Sequence, residues 1–140
     1  MPFVHTYVHT DTSTDNRTRI VDAIHQALVS SIGMPDDELF NLVHAYDPAN
    51  FYYSRSFNDI ARSDYVVVVE ITLRRGRSDT MKNDLYRAIA QNVSQATGQS
   101  TGDVFIFMHE NDYSDWSVGH GTFAMALVQR KGGTTMQPGA

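Results

Sequence analysis

The chain of 140 residues contains no cysteine, and this absence excludes disulfides, thiolate metal sites and a cysteine nucleophile. Long hydrophobic runs are missing too. No stretch approaches the roughly 18 apolar residues of a membrane-spanning helix, and no basic-then-apolar leader opens the sequence. Positive charge is scarce: eleven Lys and Arg against sixteen Asp and Glu leave a net charge of -5, the wrong sign for non-specific nucleic-acid binding. Neither a G-x-S-x-G elbow nor a Walker or dinucleotide glycine motif occurs. At 41% hydrophobic and 19% charged, the composition is that of a globular chain, and a soluble cytoplasmic protein is expected.

What is present is a repeat at a constant offset of 65 positions. Ser13 falls on Ser78, Ala23 on Ala88, Ile24 on Ile89, Gln26 on Gln91, Gly33 on Gly98, Phe40 on Phe105 and His44 on His109. Each copy reads as strand, helix, strand. In the first, Phe3 to His9 is β-rich and Ser13 or Thr14 is the N-cap. Ile20, Ile24, Ala27, Leu28 and Ser31 recur at helical spacing, Gly33 and Pro35 end the helix, and a strand runs from Leu39 to Tyr46. In the second, a strand from Tyr65 to Leu73 leads to a helix capped by Ser78, with Leu85, Ile89, Val93 and Ala96 inward. Gly98 ends that helix and Val104 to Met108 closes the unit.

The expected fold is α+β. Two βαβ units, about residues 2–46 and 65–110, form a four-stranded mixed sheet around a pseudo-twofold axis, with both helices on one face. A connector spans 47–64 with a short strand at Phe51 to Tyr53. A single domain covers 1–131 and a loose tail 132–140, with Phe123 to Val128 a terminal strand or helix reaching a neighbour. The chain offers no third long helix, so other subunits are expected to cover the open face of the sheet.

Two elements carry chemistry. Pro2 follows the initiator methionine, and removal of Met1 would leave a secondary amine at the start of a strand. An α-amino group titrates near neutrality, so its surroundings decide whether it acts as acid or base. The loop Arg74-Arg75-Gly76-Arg77 follows the buried strand and precedes the Ser78-capped helix, a suitable receptor for a carboxylate. If the two units pack antiparallel, Pro2 and this loop meet. Six histidines invite a metal, but His5 and His9 lie about 13 Å apart along a strand and no H-E-x-x-H motif is present. No metal and no cofactor is expected.

The order Met-Pro, GMPDDELFNLV (33–43), ITLRRGRS (71–78) and DWSVGHG (115–121) resembles malonate semialdehyde decarboxylase and its relatives in the tautomerase superfamily. The resemblance covers most of residues 2–128 and implies a trimer of βαβ-repeat chains with Pro2 as the catalytic amine. It implies further that Arg75 and Arg77 hold substrate, that Glu38 or its neighbour Asp37 is the acidic partner, and that Trp116 and Val118 form an apolar wall. Arg74 joins the anion site or faces solvent. Val118 replaces the family's phenylalanine, which widens the pocket. The implied substrate is a small carboxylate, and the implied reaction is decarboxylation of a 3-oxo acid such as malonate semialdehyde. Alternatives are keto–enol tautomerisation, hydration of unsaturated or halogenated acids, and a non-enzymatic trimeric scaffold.

Overall fold

A computed structural model of the chain describes residues 2–124. Its four strands, β1 (Phe3–His9), β2 (Asn41–Tyr46), β3 (Val67–Arg74) and β4 (Val104–Asn111), form one sheet in the order β2-β1-β3-β4. The outer pairs β1–β2 and β3–β4 are parallel and the central pair β1–β3 is antiparallel. Each parallel pair is joined by a helix, α1 (Thr14–Ile32) or α2 (Asp79–Thr97). The fold is the expected four-stranded mixed sheet with two helices built from two βαβ units.

Local chemistry sets the helix ends. Ser13 and Ser78 accept from the backbone N–H groups of Asn16 and Met81, each cap stabilising its helix by about 1 kcal/mol. Gly33 and Gly98 adopt the left-handed conformation that closes a helix without a Cβ penalty. Between the caps, Ile20, Ile24, Ala27 and Leu28 of α1 meet Leu85, Ile89 and Val93 of α2 over Val4, Val69, Ile71 and Leu73 of the sheet. Both helices therefore cover one face. Truncating one of these fully buried aliphatic side chains to alanine costs about 2–5 kcal/mol.

Several strand boundaries differ from the sequence reading, each for a local reason. β2 begins at Asn41 rather than Leu39, because the chain first turns through a Glu38 N–H to Pro35 carbonyl bond of 3.1 Å. β3 begins at Val67 rather than Tyr65, since the Tyr65 and Val66 carbonyls accept from the side chains of Gln99 and Tyr46 instead of a neighbouring strand. β4 continues past Met108 to Asn111 by pairing with Arg74, although its last three residues are polar. The expected strand at Phe51 to Tyr53 is absent. Asp47 instead caps a single 3₁₀ turn at Pro48–Asn50, and Phe51 packs edge-on against Tyr46. Most of the segment Phe123 to Val128, and all of the tail 132–140, lie outside the described residues.

The other face of the sheet is uncovered in the single chain. Leu42 and Phe105 are about half exposed, at 52% and 47%, beside a polar cluster. In that cluster His5 Nδ1 and His44 Nε2 are 2.8 Å apart, while Glu70 accepts from Tyr7 Oη and His109 Nε2 at 2.9 Å each. No helix among the described residues is long and apolar enough to cross a membrane.

Candidate active site

The antiparallel register sets the start of β1 beside the end of β3, with Phe3 opposite Thr72 and Val4 opposite Ile71. A cavity of about 650 Å³ opens at this junction, and Pro2, Glu38, Arg74, Arg77, Tyr113, Trp116 and Val118 are among the residues lining it. Pro2 is buried immediately ahead of β1. Glu38 sits on the loop after α1, held by the turn onto Pro35. Arg74 is the last residue of β3, and Arg77 Nη1 donates back to the Arg74 carbonyl at 2.6 Å. Gly76 makes that return possible with φ 121, a conformation that a side chain rarely tolerates. After β4, Trp116 Nε1 donates to Asn111 Oδ1 at 2.6 Å, which fixes the indole against the cavity.

Burial, and next the neighbouring Arg74 cation, lower the pKa of the Arg77 guanidinium. Arg74 lies over the Tyr113 ring, its guanidinium carbon 4.7 Å from the ring centroid, with a buried Nε that has no hydrogen-bond partner. Two partly dehydrated cations in one cavity with a single lining carboxylate form a natural receptor for an anionic group. Among the described residues no cluster of three metal-ligating side chains occurs.

The sequence reading named eight site residues. Six of them, Pro2, Glu38, Arg74, Arg77, Trp116 and Val118, line this one cavity. Arg75 and Asp37 are not among its lining residues. Arg75 Nε instead binds Asp112 Oδ1 at 2.7 Å on the surface, and that hydrogen-bonded ion pair raises its pKa. Strand alternation is the reason. Because β3 runs on to Arg74, that residue shares a face with Thr72, opposite Phe3, and the next side chain turns away. The cavity is also lined by residues that no sequence pattern singles out, notably Phe40, Met34 and Tyr113. A second, narrow crevice of about 10 Å³ lies between Pro2, Glu38 and His25. His25 is buried on α1 and its Nε2 is 2.8 Å from the Asp36 carbonyl.

Comparison with known proteins places this architecture. A family model described as tautomerase enzyme matches residues 38–119, and another with the same description matches residues 2–55. The chain is 30% identical over 125 residues to the probable tautomerase YusQ of Bacillus subtilis strain 168, covering 89% of this chain and 98% of that protein. It belongs to the tautomerase superfamily. Among solved structures, FG41 malonate semialdehyde decarboxylase inhibited by 3-bromopropiolate aligns with a TM-score of 0.83 and 28% identity, over 96% of this chain and 99% of that one. A symmetric trimer of fused 4-OT aligns with a TM-score of 0.75 over 89% and 98% of the two chains. Its 24% identity makes that likeness one of fold. Membership of the tautomerase superfamily supports an enzyme.

Proposed function

We propose that the chain is an amino-terminal-proline enzyme that moves a proton within a carboxylate-bearing oxo acid, interconverting enol and keto forms. The reading is carried by one observation: Pro2, Glu38, Arg74 and Arg77 share a single cavity. Removal of Met1 frees the Pro2 nitrogen as a secondary amine. Arg74 and Arg77 pair with the substrate carboxylate and fix its orientation. Pro2, buried in the cavity that Arg74 and Arg77 also line, serves in its neutral form as the base. It accepts the enol hydroxyl proton, the electrons flow toward carbon 3, and the prolinium then delivers that proton to carbon 3. Glu38 steadies the transient cation. Copies of the chain associate through the uncovered sheet face as a trimer, an arrangement supported by the trimeric fused 4-OT neighbour.

Decarboxylation of a 3-oxo acid is the second reading. It is favoured by the 28% identity to malonate semialdehyde decarboxylase and by the wall of Trp116 and Val118, which would shelter departing carbon dioxide. Both reactions can be run on one preparation, as ketonisation of phenylenolpyruvate and release of carbon dioxide from malonate semialdehyde. Ketonisation is expected to be the faster. Faster release of carbon dioxide would establish the second reading, and absence of both would leave the trimeric scaffold.

A further inference from the structure

The repeat runs further than the strands it builds. At the offset of 65, Tyr46 at the end of β2 corresponds to Asn111 at the end of β4, and Phe51 corresponds to Trp116. Between them both copies carry the same device, a single 3₁₀ turn at Pro48–Asn50 or at Tyr113–Asp115. Each turn delivers an aromatic ring back to the last residue of the preceding strand. In the first copy the contact is apolar: the Phe51 ring stands edge-on to Tyr46 with 4.9 Å between centroids, and Tyr46 Oη donates to the Val66 carbonyl. In the second copy it is polar, because Trp116 Nε1 donates to Asn111 Oδ1 at 2.6 Å.

Asn111 also reaches the cationic side of the cavity. It pairs with Arg74 in the β3–β4 register, and its carbonyl accepts from the Arg75 N–H at 2.8 Å. That bond opens the loop through which Arg77 returns to the Arg74 carbonyl. A single residue therefore fixes the arginine loop through its backbone and the indole through its side chain. The turn between them adds a further tie, the Arg74 guanidinium lying over the Tyr113 ring. The indole N–H is the one polar group of the Trp116 side chain. Deprived of its acceptor it would turn toward water, and the ring would leave the wall.

We infer that Asn111, which does not itself line the cavity, is a positioning residue that locks the Trp116 indole as a wall of the space holding Arg74 and Arg77. The spacing between anion receptor and apolar wall is then set by one side chain that makes no contact with substrate. The role deepens the proposed function and rests on it for the reaction served.

Trp116 is the chain's only tryptophan, so one indole N–H signal in nitrogen-15 NMR spectra reports on this bond. In wild type that proton should exchange with heavy water about 10-fold more slowly than in Asn111→Leu, which has similar bulk and no acceptor. Asn111→Asp keeps the oxygen and should keep the protection. Calorimetry with unreactive propanoate then reads the cavity. Asn111→Leu should weaken binding about 5–10-fold in the wild-type background and by less than about twofold in Trp116→Phe, which lacks the donor.

Equal losses in both backgrounds would mean that Asn111 acts through the β3–β4 pair at large, and would overturn the assignment. An indole proton that exchanges freely in wild type would overturn it too, a result that needs no variant to fold. Ketonisation of phenylenolpyruvate is read separately, and its kcat/KM should fall by the same factor of about 5–10 in Asn111→Leu. Wild-type protein inactive in that assay would overturn the proposed reaction, while exchange and calorimetry still decide the role of Asn111.

Discussion

The repeat gives the molecule two equivalent ends, and among the described residues they differ: an open cavity lies at the Pro2 end, while side chains of the connector fill the other. At an offset of 65, Pro2 corresponds to Val67, Glu38 to Asp103, Arg74 to His9 and Arg77 to Thr12. At the first end these groups surround about 650 Å³. At the second, the connector closes the space. Ser63 donates its N–H and its hydroxyl to Asp103 at 2.7 and 2.6 Å, and the Tyr65 ring packs 4.6 Å from His9. Val67 carries its nitrogen inside the chain as an amide, with no basic lone pair. The same fold thus yields a filled junction or a cavity according to what the adjoining chain supplies. Buried carboxylate chemistry differs accordingly: Asp103 is fully occupied by one partner residue, whereas Glu38 faces the cavity.

The sharpest way to break the comparison is to make the two ends alike in their nitrogen. An N-terminal Gly-Ser extension converts the Pro2 nitrogen to an amide and should lower turnover by about 10²–10⁴, the span of general acid–base contributions, with circular dichroism unchanged. Undiminished turnover would remove Pro2 from the mechanism. The next effect separates the arginines. Arg74→Ala and Arg77→Ala should each reduce kcat/KM by about 10–150-fold, the worth of a hydrogen bond to a charged group. Arg75→Ala should stay within about twofold, because it gives up only an exposed pair with Asp112. A larger loss for Arg75 than for Arg74 would invert the site. At the filled end the expected effect is on stability. Asp103→Ala leaves the Ser63 N–H without its acceptor and should cost about 1–3 kcal/mol in denaturant unfolding, with turnover per folded molecule retained.

Much of this contrast was legible in the sequence, and the reason is the repeat. Gly33 and Gly98, Ser13 and Ser78, and the aliphatic stripes between them dictate two like units whatever the distant contacts are. Two like units around a twofold bring Pro2 to the end of β3. The sequence could not say which arginines face the cavity. A strand read as ending at Leu73 leaves Arg74 in a loop, whereas pairing of Arg74 with Asn111 extends alternation by one residue and settles its face. That pairing depends on a polar segment, His109 to Asn111, whose strand character no hydrophobic pattern announces. His25 was hidden for a similar reason. It lies next to the apolar stripe of α1, and its partner Asp36 is brought to it only by the turn after Gly33.

The smallest predicted effect concerns the two faces of the sheet rather than its two ends. The helix-covered face is aliphatic, so its contribution is insensitive to pH, while the uncovered face places Glu70 between Tyr7 and His109. The hydrogen bond from His109, and then that from Tyr7, hold the Glu70 carboxyl below its ordinary value of 4.5. In the unfolded chain the carboxyl titrates at the ordinary value. Between the two values the unfolded state therefore binds more protons, and stability falls as the pH falls. The Glu70 contribution is complete above about pH 4.5 and is lost below it, through the folded-state value. Wild type and Glu70→Gln should thus differ in melting temperature by a constant amount from about pH 6 down to about pH 5, and the gap should close as the solution is acidified further. A gap that persists unchanged well below pH 4.5 would mean that the two hydrogen bonds do not favour the ionised carboxylate. Repeating the melts at two protein concentrations separates a contribution within the chain, which is independent of concentration, from one made through association of this face with other copies.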